Sequence, residues 1–429
     1  MNAKSNHQPL HLLKEGQSLF SAGRVRREKG QWWIYNAFTD LELDFAATSG
    51  ANDDLVEGAL IRVGGHLRDD LFVVEWFCVV HQPYSDPPPL QDERGLPIGT
   101  CLRARHHLNR RIHRFFDQRS FLEVQTPAWV RAPGTDPHIE PVRADFQHGS
   151  APEDRQTGYL HTSPELSMKR LLSAGAGPIY QLGSVWRNGE VTPLHNPEFQ
   201  LLEWYRPWRA MEAIMADVEQ LVGSILDDQS GRPVEAPFLR ITMRELVDRA
   251  CGFDLLEALD ADSLRHQIRR RKLLSDRAMS RARWDELFYS LTVSHLDPYL
   301  STMGPVFVTH WPSPLAVLAK KDDDDPRVAR RFELYVDGVE LANGFGELTD
   351  PDEQLERFVD DNATRRLLNL GELPVPRAFL RALEWGLPPS AGVALGVDRL
   401  LVLATPDASC LLDINPFAFY RDVDGIQWP

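Results

Sequence analysis

The chain has few cysteines and no long hydrophobic segment, and both absences exclude classes of protein. Only four cysteines occur in 429 residues, they lie far apart, and no two form a CxxC pair. This pattern predicts neither a zinc site nor a disulfide framework, so we expect reduced thiols. No apolar run approaches the length that spans a membrane, and the first residues lack the apolar stretch of a signal peptide. We therefore expect a cytoplasmic protein with no membrane partner.

Basic residues are outnumbered as well. The chain has 62 acidic and 47 basic side chains, which gives a net charge of −15. Such a balance repels polyphosphate unless basic residues gather on one face, so it disfavours a large nucleic-acid footprint. A partner protein or a small cationic substrate fits the charge more easily. The hydrophobic content of 43% is ordinary for a globular protein, and the length predicts two domains.

A proline-rich segment marks the clearest domain boundary. Residues 82–97 contain three consecutive prolines and predict a semi-rigid linker. Before it, residues 1–81 hold short β-rich runs between turn residues, which predict a small all-β, OB-like barrel of about five strands. This barrel is a structural spacer or an oligonucleotide-binding fold, because Trp32, Trp33 and Tyr35 fit a core or a stacking platform equally. We expect a second, larger domain over residues 98–429.

The larger domain begins with a predicted helix. Residues 101–127 have apolar positions near helical spacing, which predicts an amphipathic helix of about four to six turns and then a strand that begins near Phe121. The helical pattern returns in Met211–Leu226, and Leu255–Trp284 predicts a helix-rich insertion. The acidic run Asp322–Asp325 predicts an exposed loop without a catalytic role.

Residues 161–208 crowd positive and negative groups into two predicted strands. Arg187 stands in an alternating apolar run, Gly189 and Pro193 then force a turn, and a second apolar run contains Glu203. This pattern predicts that Arg187 and Glu203 face one another from neighbouring strands. Buried charges on strands usually hold a charged ligand.

A second cluster of charge lies in residues 330–351. Strand alternation places Glu333 and Tyr335 on one face, and after a turn at Gly338 the chain returns with Glu340. Glu333 and Glu340 are a candidate oxygen-ligand pair for Mg²⁺, which usually takes one or two carboxylates plus substrate phosphates. The alternative is a pair of solvent-exposed carboxylates on an edge strand.

The third segment, residues 390–404, is rich in small residues. These allow a ligand to approach the backbone closely, and Arg399 opens an apolar helix whose N-terminal dipole favours an anion. A glycine-rich strand-to-helix turn is weak evidence alone. Together, Arg187 and Arg399 predict a pair of guanidinium groups that clamp a triphosphate.

These segments resemble motifs 1, 2 and 3 of class II aminoacyl-tRNA synthetases. The strings are FLEVQTP, the arginine strand with HNPEFQLLEWY, and GVALGVDRL. Within that class they are most similar to the lysyl-type subgroup, and closer still to the elongation factor P lysine ligases, which attach (R)-β-lysine to a lysine of elongation factor P. The resemblance runs from about Leu96 nearly to the end of the chain. It implies an α+β fold with an antiparallel sheet flanked by helices, and a homodimer formed through motif 1.

The resemblance implies a nucleotide site with two catalytic arginines. Arg187 would bind the α-phosphate of ATP and Arg399 the γ-phosphate. Glu333 and Glu340 would hold Mg²⁺. The remaining ATP-binding residues would be Asn188, Glu190, His195, Asn196, Glu340, Leu341 and Gly396.

The resemblance also implies a pocket for a lysine-like amino acid. Such a substrate brings two ammonium groups into a partly dry pocket, and each must be paired with a carboxylate. The residues implied at the amino end are Ser163, Glu165 and Glu203; those at the distal ammonium are Tyr205 and Glu347; those lining the pocket are Asn343, Phe345 and Ala394.

Two positions bear on how closely the chain follows that pattern. At Ala394 the lysyl-tRNA synthetases usually have glycine and the ligases alanine, and the methyl group would favour β-lysine by about 1–3 kcal/mol at best; the alternative is simple core packing. In motif 2 the expected carboxylate is displaced by Gly189 to Glu190. On a strand this shift would reverse its face. Either the loop bulges and returns Glu190 to the site, or adenine recognition is weakened.

We therefore expect an ATP-dependent ligase that adenylates lysine or (R)-β-lysine and transfers it to a lysine amine of a protein such as elongation factor P. A lysyl-tRNA synthetase-like enzyme and a ligase for a small-molecule amine are alternatives. The N-terminal barrel, which the ligases typically lack, keeps tRNA as an acceptor open. An alternative of another class is a catalytically impaired paralogue that binds a protein or RNA as a regulator.

Overall fold

The computed structural model describes residues 13–14, 18–36, 39–45, 55–83, 98–229, 234, 236–279 and 282–418. The chain divides into two compact units, one of residues 1–107 with 412–429 and one of residues 108–411. Most of the predicted linker, residues 82–97, lies outside the described residues, so the domain boundaries stay a prediction. No helix within the described ranges is long and apolar enough to cross a membrane.

The first unit contains a closed five-stranded barrel with strand order β1-β2-β3-β5-β4. Its strands are β1 (Ser18–Glu28), β2 (Gln31–Tyr35), β3 (Asp40–Asp44), β4 (Leu60–Arg68) and β5 (Leu71–His81). Lys29 and Gly30 both have positive φ and form the two-residue turn between β1 and β2. Trp32 is buried in the barrel core, whereas the rings of Trp33 and Tyr35 lie 5.8 and 5.9 Å from the guanidinium of Arg26. The predicted barrel is confirmed.

The second unit is built on a mostly antiparallel sheet of eight strands, in the order β12-β13-β14-β15-β16-β11-β10-β6. Three further strands, β7, β9 and β8, form a separate sheet. The strands are β6 (Leu122–Glu123), β7 (Trp129–Val130), β8 (Arg143–Gln147), β9 (Arg155–Leu160), β10 (Ile179–Trp186), β11 (Glu198–Pro207), β12 (Leu239–Thr242), β13 (Val306–Pro312), β14 (Val328–Val336), β15 (Val339–Gly346) and β16 (Ser390–Gly396). The predicted α+β fold class is confirmed.

The described residues form twelve α-helices, most of which connect strands of this sheet. They are α1 (Ile98–Asp117), α2 (Glu165–Ser173), α3 (Met211–Gln229), α4 (Met243–Cys251), α5 (Ala261–Arg271), α6 (Asp276–Met279), α7 (Trp284–Leu291), α8 (Asp297–Leu300), α9 (Pro351–Leu367), α10 (Arg377–Gly386), α11 (Val397–Ala404) and α12 (Leu411–Ile414). A π-helical segment, Thr292–Leu296, joins α7 to α8. Short 3₁₀ helices cover Pro152–Asp154, Leu255–Glu257 and Ser313–Leu315.

Aromatic packing attaches the end of α1 to the sheet. The buried ring of Phe116 stacks on Tyr180 of β10 with centroids 4.3 Å apart and meets the edge of Trp204 of β11 at 5.4 Å. Such offset and edge contacts stabilise a core beyond the apolar area that they bury. The chain then enters β6, which confirms the predicted order of helix and strand.

The prediction that Arg187 faces Glu203 is wrong. β10 ends at Trp186, and Glu203 pairs with Gln181 instead. The backbone N–H of Arg187 donates to the carbonyl of Pro197 at 2.9 Å, beyond the paired strands. Six residues of extended chain separate Arg187 from Gln181, which is roughly 20 Å along a strand. The two charges therefore serve different parts of the sheet.

The hairpin of β14 and β15 contains a bulge. Asp337 and Gly338 both have positive φ and form a two-residue turn. Beyond the turn, β15 has one residue more than β14, at Leu341. Because side chains alternate between faces along a strand, this extra residue places Glu340 and Asn343 on the same face although they are three positions apart.

Candidate active site

One face of the central sheet carries the predicted site as rows of paired residues. The first row crosses four neighbouring strands and consists of Glu333, Asn343, Ala394 and Glu203. The second consists of Arg331, Phe345, Gly392 and Tyr205. Adjacent strands lie about 4.8 Å apart, so residues distant in sequence become close neighbours.

A cavity of about 920 Å³ opens over these rows. Every site residue predicted from the sequence lines it except Asn188, whose backbone N–H donates to the carbonyl of Glu140 at 2.7 Å. The predicted residues that line it are Ser163, Glu165, Arg187, Glu190, His195, Asn196, Glu203, Tyr205, Glu333, Glu340, Leu341, Asn343, Phe345, Glu347, Ala394, Gly396 and Arg399.

Glu203 is a buried carboxylate of the cavity, and both of its oxygens accept hydrogen bonds. The hydroxyl of Ser163 donates to its Oε1 at 2.6 Å, and the hydroxyl of Tyr205 donates to its Oε2 at 3.2 Å. Burial and the nearby carboxylate of Glu165 raise the pKa of Glu203 to about 8, against the opposing effect of these donors. A cationic group placed beside Glu203 would favour its ionised form.

Lys169 is a functional candidate that the sequence reasoning missed. It is 1% exposed on α2, and its Nζ lies 2.5 Å from Oε1 of Glu165 and 2.5 Å from Oε2 of Glu347. Burial lowers the pKa of Lys169, but the two carboxylates outweigh that effect and raise it overall. Glu165 and Lys169 are four residues apart, so the sequence shows only an ordinary helical ion pair. With Glu203 included, three carboxylates and one ammonium give this part of the cavity a charge of −2 when all are ionised.

Two buried oxygens in the same region have no hydrogen-bond partner among the described residues. They are Oε1 of Glu347 and Oδ1 of Asn343. A Cβ at Gly392 would lie 2.7 Å from Oε1 of Glu347 and 2.2 Å from the ring of Tyr205, so only glycine leaves this space open. Burial is the main cause that raises the pKa of Glu347 to about 7. Buried acceptors of this kind are costly unless a donor reaches them.

Cationic side chains gather at another part of the cavity. Arg399 donates from Nη1 to the carbonyl of Glu340 at 2.8 Å and from Nη2 to Nε2 of His195. Burial, together with Arg399 and Arg187, lowers the pKa of His195 to about 4. His195 is therefore neutral near pH 7. Because arginine only donates, Nε2 is the acceptor, and Nδ1 carries the hydrogen that bonds Oγ1 of Thr192 at 2.6 Å.

Arg187 lies at the start of a loop that bends sharply. Its Nε is buried without a partner among the described residues, and its guanidinium stands 5.2 Å from the ring centroid of Phe199. Gly189 has φ +80°, a left-handed conformation that glycine adopts without strain. This turn returns Glu190 to the cavity, where its Oε1 lies 3.8 Å from Nη1 of Arg187. Of the two alternatives for motif 2, the structure has the one in which the loop bends and returns Glu190 to the cavity.

The predicted magnesium pair lies on the hairpin of β14 and β15. Both oxygens of the buried Glu333 accept hydrogen bonds, from Arg331 at 2.6 Å and from Tyr335 at 2.5 Å. Burial and the nearby carboxylate of Glu340 raise the pKa of Glu333 to about 7. Two carboxylates that repel each other are suited to bind a divalent cation, which also takes phosphate oxygens as ligands. No cluster of three or more His, Cys, Asp or Glu ligands occurs among the residues that the structure describes.

The cavity has a further wall that the sequence reasoning also missed. It consists of a loop, residues 133–139, and the start of α7. It contains neither the carboxylates around Lys169 nor the cationic residues Arg187 and Arg399. His138 of the loop lies 3.3 Å from a carboxylate oxygen of Asp285 on α7. Arg283 holds the same carboxylate with two hydrogen bonds, at 3.0 and 2.5 Å. Isolated polar residues in a loop and an insertion gave no sequence pattern that would unite them.

Sequence comparison agrees with this geometry. The family described as tRNA synthetases class II (D, K and N) matches residues 92–417, and the chain belongs to that family. It is an amino-acid ligase of the class II synthetase type.

The chain is also similar to curated relatives over most of its length. It is 42% identical over 321 residues to the elongation factor P–(R)-β-lysine ligase of Yersinia pestis (strain Pestoides F), which covers 75% of this chain and 95% of the relative. It is 42% identical over 310 residues to the enzyme of the same name from Proteus mirabilis (strain HI4320), with 72% and 92% covered.

Proposed function

We propose that the protein uses ATP to adenylate a lysine-like amino acid, (R)-β-lysine or lysine, and transfers it to a lysine amine of elongation factor P. The observation that supports the proposal is the cluster of carboxylates around Lys169, which consists of Glu165, Glu203 and Glu347. When its three carboxylates are ionised, the cluster with Lys169 has a charge of −2, and two buried oxygens in the same region lack a donor among the described residues. A substrate with two ammonium groups supplies both the charge and the donors.

The cationic part of the cavity suits a triphosphate. Arg187 and Arg399 would bind phosphate oxygens, and neutral His195 would keep the guanidinium of Arg399 in place. Glu190 and Asn196 would approach the nucleotide base, and Glu340, Leu341 and Gly396 would border it from the sheet. When bound, Mg²⁺ at Glu333 and Glu340 would offset negative charge on the phosphates.

The proposed first step is an in-line attack by the amino-acid carboxylate on the α-phosphorus of ATP. The P–O bond to pyrophosphate breaks, and an aminoacyl adenylate forms. Arg187 and Arg399 stabilise the charge that develops on the phosphate oxygens, and prearranged donors of this kind are usually the largest single contribution to such catalysis. Glu203, Ser163 and Tyr205 hold the ammonium end, which fixes the direction of the carboxylate.

The experiment that tests this function is amino-acid-dependent pyrophosphate exchange. We expect exchange with (R)-β-lysine or lysine and none with norleucine, which lacks the distal ammonium. Purified elongation factor P and bulk tRNA are then offered as acceptors, with transfer to elongation factor P expected. Absence of exchange with lysine, β-lysine and related amino acids would refute the ligase proposal and favour a regulatory paralogue.

A second acceptor is favoured by one observation on the barrel. The guanidinium of Arg26 stands against both Trp33 and Tyr35 on its surface, an arrangement that suits stacked bases. The lysyl-tRNA synthetase-like alternative would show aminoacylation of tRNA in the acceptor assay. The homodimer implied by motif 1 stays a prediction, and light scattering of the purified chain would test it.

Glu203→Gln should stabilise the ligand-free protein while removing its activity. The pKa of Glu203 is raised to about 8, so the folded protein binds a proton that the unfolded chain releases above about pH 4.5. Stability from this group is therefore lost as the pH rises from about 4.5 to 8. We expect the variant to exceed the wild type by roughly 1–3 kcal/mol at pH 8 and to match it near pH 5, in urea unfolding.

Pyrophosphate exchange of the same variant should fall to background, because the amide cannot pair a charged ammonium. Glu198→Gln, an exposed position on the same strand, is the matched control and should change neither property. A stability difference that does not vary with pH would contradict the buried, protonated state of Glu203.

Ala394→Gly should shift substrate preference. Ala394 lies between Asn343 and Glu203 in the first row, so its methyl group forms the floor between the two ends of the pocket. We expect kcat/KM for lysine relative to (R)-β-lysine to rise roughly 10- to 100-fold, the range for one methyl group in a pocket. Ala391→Gly on the opposite face of β16 loses the same methyl group and serves as the control. An unchanged ratio would assign Ala394 to core packing.

A further inference from the structure

Transfer to a lysine amine needs a group that accepts a proton. Neither the carboxylates around Lys169 nor the residues around Arg399 supply one. A lysine amine with a pKa of about 10.4 is less than about 0.1% neutral at pH 7, and only the neutral amine attacks an adenylate. Near the expected reaction centre, His195 is already bonded through both ring nitrogens. The carboxylates Glu165, Glu203 and Glu347 are committed to Lys169 or to the substrate ammonium groups.

His138 lies in the remaining wall of the cavity, and one of its ring nitrogens is held by a carboxylate. Its Nε2 lies 3.3 Å from Oδ2 of Asp285, so the carboxylate accepts the Nε2 hydrogen and leaves Nδ1 as the acceptor of the ring. No hydrogen bond to Nδ1 occurs within the described part of the chain. The edge of the ring meets Tyr289, with centroids 5.2 Å apart. Such a histidine, oriented by a carboxylate on its second nitrogen, has the arrangement of a general base.

The loop that holds His138 is fixed from two sides. Fully buried Arg365 of α9 donates to the carbonyl of Asp136 at 3.3 Å and to the carboxylate of Glu140 at 2.6 Å. Thr135 donates to Asp361 of the same helix at 2.8 Å. The carbonyl of Glu140, directly after the loop, also accepts the backbone N–H of Asn188, next to Arg187. This attachment fixes the loop relative to the residue that we propose binds the α-phosphate.

The charged residues around His138 favour the approach of a cationic group. Asp285 faces it from α7, Arg283 from the position before that helix, and Asp136 from its own loop. The hydrogen bond to Asp285 is the main cause that raises the pKa of His138, with burial and Arg283 opposing it. Asp360 and Asp361 of α9 line the same wall. Acidic groups of this number would attract the ammonium of an incoming lysine side chain.

We propose that His138, held by Asp285, is the general base that removes a proton from the acceptor lysine during transfer. This inference rests on the proposed function. The acceptor ammonium gives one proton to Nδ1, and the imidazolium that forms is balanced by Asp285. The neutral nitrogen attacks the adenylate carbonyl, the new C–N bond forms, and the C–O bond to AMP breaks with its electron pair on the departing phosphate. A second proton leaves the nitrogen for solvent, and the product is an amide.

The test separates adenylation from transfer in His138→Gln. The full-length protein is loaded with amino acid and ATP in the presence of pyrophosphatase, and transfer from the enzyme-bound adenylate to elongation factor P is followed in a single turnover from pH 6 to 10. We expect pyrophosphate exchange within about twofold of the wild type and transfer at pH 7 lower by roughly 10²-fold, a typical contribution of a general base. The deficit should shrink as the pH approaches 10, because the acceptor ammonium then loses its proton without help.

Two controls make the result specific. His266→Gln, an exposed histidine on α5, should behave as the wild type. Hydroxylamine, which is already neutral at pH 7, should discharge the adenylate of His138→Gln as fast as that of the wild type. Asp285→Asn should reduce transfer and alter its pH profile in the same direction.

The outcomes distinguish this inference from the proposed function. A wild type without exchange overturns both. Normal transfer by His138→Gln at pH 7 overturns the inference alone, as does an equal loss of exchange and transfer, which would mean that the His138–Asp285 contact only holds the wall of the cavity together. A deficit that stays constant from pH 6 to 10 also overturns it.

Discussion

Lys169→Met is expected to lower the free energy of unfolding of the catalytic unit by about 3–5 kcal/mol, the cost of removing one partner from a buried ion pair. The lysine is fully enclosed, and its Nζ lies between Glu165 and Glu347 at 2.5 Å from each. Methionine fills a similar volume, so the loss would come from the uncompensated carboxylates rather than from a void. Urea unfolding followed by tryptophan fluorescence measures the change.

The matched control is Arg170→Met, the neighbouring exposed position on α2. It removes the same charge from the chain without exposing a buried carboxylate, and we expect it to unfold within about 0.5 kcal/mol of the wild type. A second variant, Lys169→Met with Glu347→Gln, removes one of the stranded charges and should recover part of the loss. Equal stability of Lys169→Met and Arg170→Met would show that the buried ion pairs do not contribute.

Arg399→Ala is the second large expected effect, and it concerns activation instead of folding. If Arg399 binds phosphate oxygens as proposed, its loss should lower kcat/KM for pyrophosphate exchange roughly 10²- to 10³-fold, equivalent to about 3–4 kcal/mol of transition-state stabilisation. The variant should also raise the pKa of His195, because Arg399 is one of the charges that lower it. Titration of the histidine resonances by NMR would detect that second effect independently of activity.

Arg399→Lys and Arg377→Ala complete the experiment. Lysine keeps the charge but loses the paired donors, so its activity should lie between the wild type and alanine. Arg377 is exposed at the start of α10, and its removal should leave exchange unchanged. Wild-type exchange in Arg399→Ala would show that the clamp is assigned to the wrong residue.

The sequence predicted which segments form helices and strands, and which residues line the cavity, better than it predicted how the strands pair. Alternating apolar residues and turn signals were enough to predict the barrel and the hairpin at Gly338, and apolar residues at helical spacing were enough to predict α1, because these patterns are local. The pairing of Arg187 with Glu203 failed because register depends on where a strand ends, and the loop after Trp186 begins before the predicted turn.

The missed residues have a common physical reason. Lys169 is four positions from Glu165, a spacing common on surface helices, and its second carboxylate partner, Glu347, comes from a distant part of the chain just after β15. His138 and Asp285 are far apart in sequence and meet only when the loop and α7 form one wall. Motif 2 differs in a further way. In the sequence, Gly189 replaces an expected carboxylate. In the structure, its positive φ allows the turn that brings Glu190 into the cavity.

The bulge at Leu341 has a consequence for how this enzyme can change. One extra residue keeps Glu340, which we propose binds the nucleotide, and Asn343, which we propose lines the amino-acid pocket, on the same face of β15. Deleting that residue would preserve every side chain of the proposed site and yet turn the two halves of the strand to opposite faces. If both substrates bind in this cavity as proposed, their placement on one face depends on the number of residues in β15. Insertions or deletions there would then be far less tolerated than substitutions of Leu341 itself.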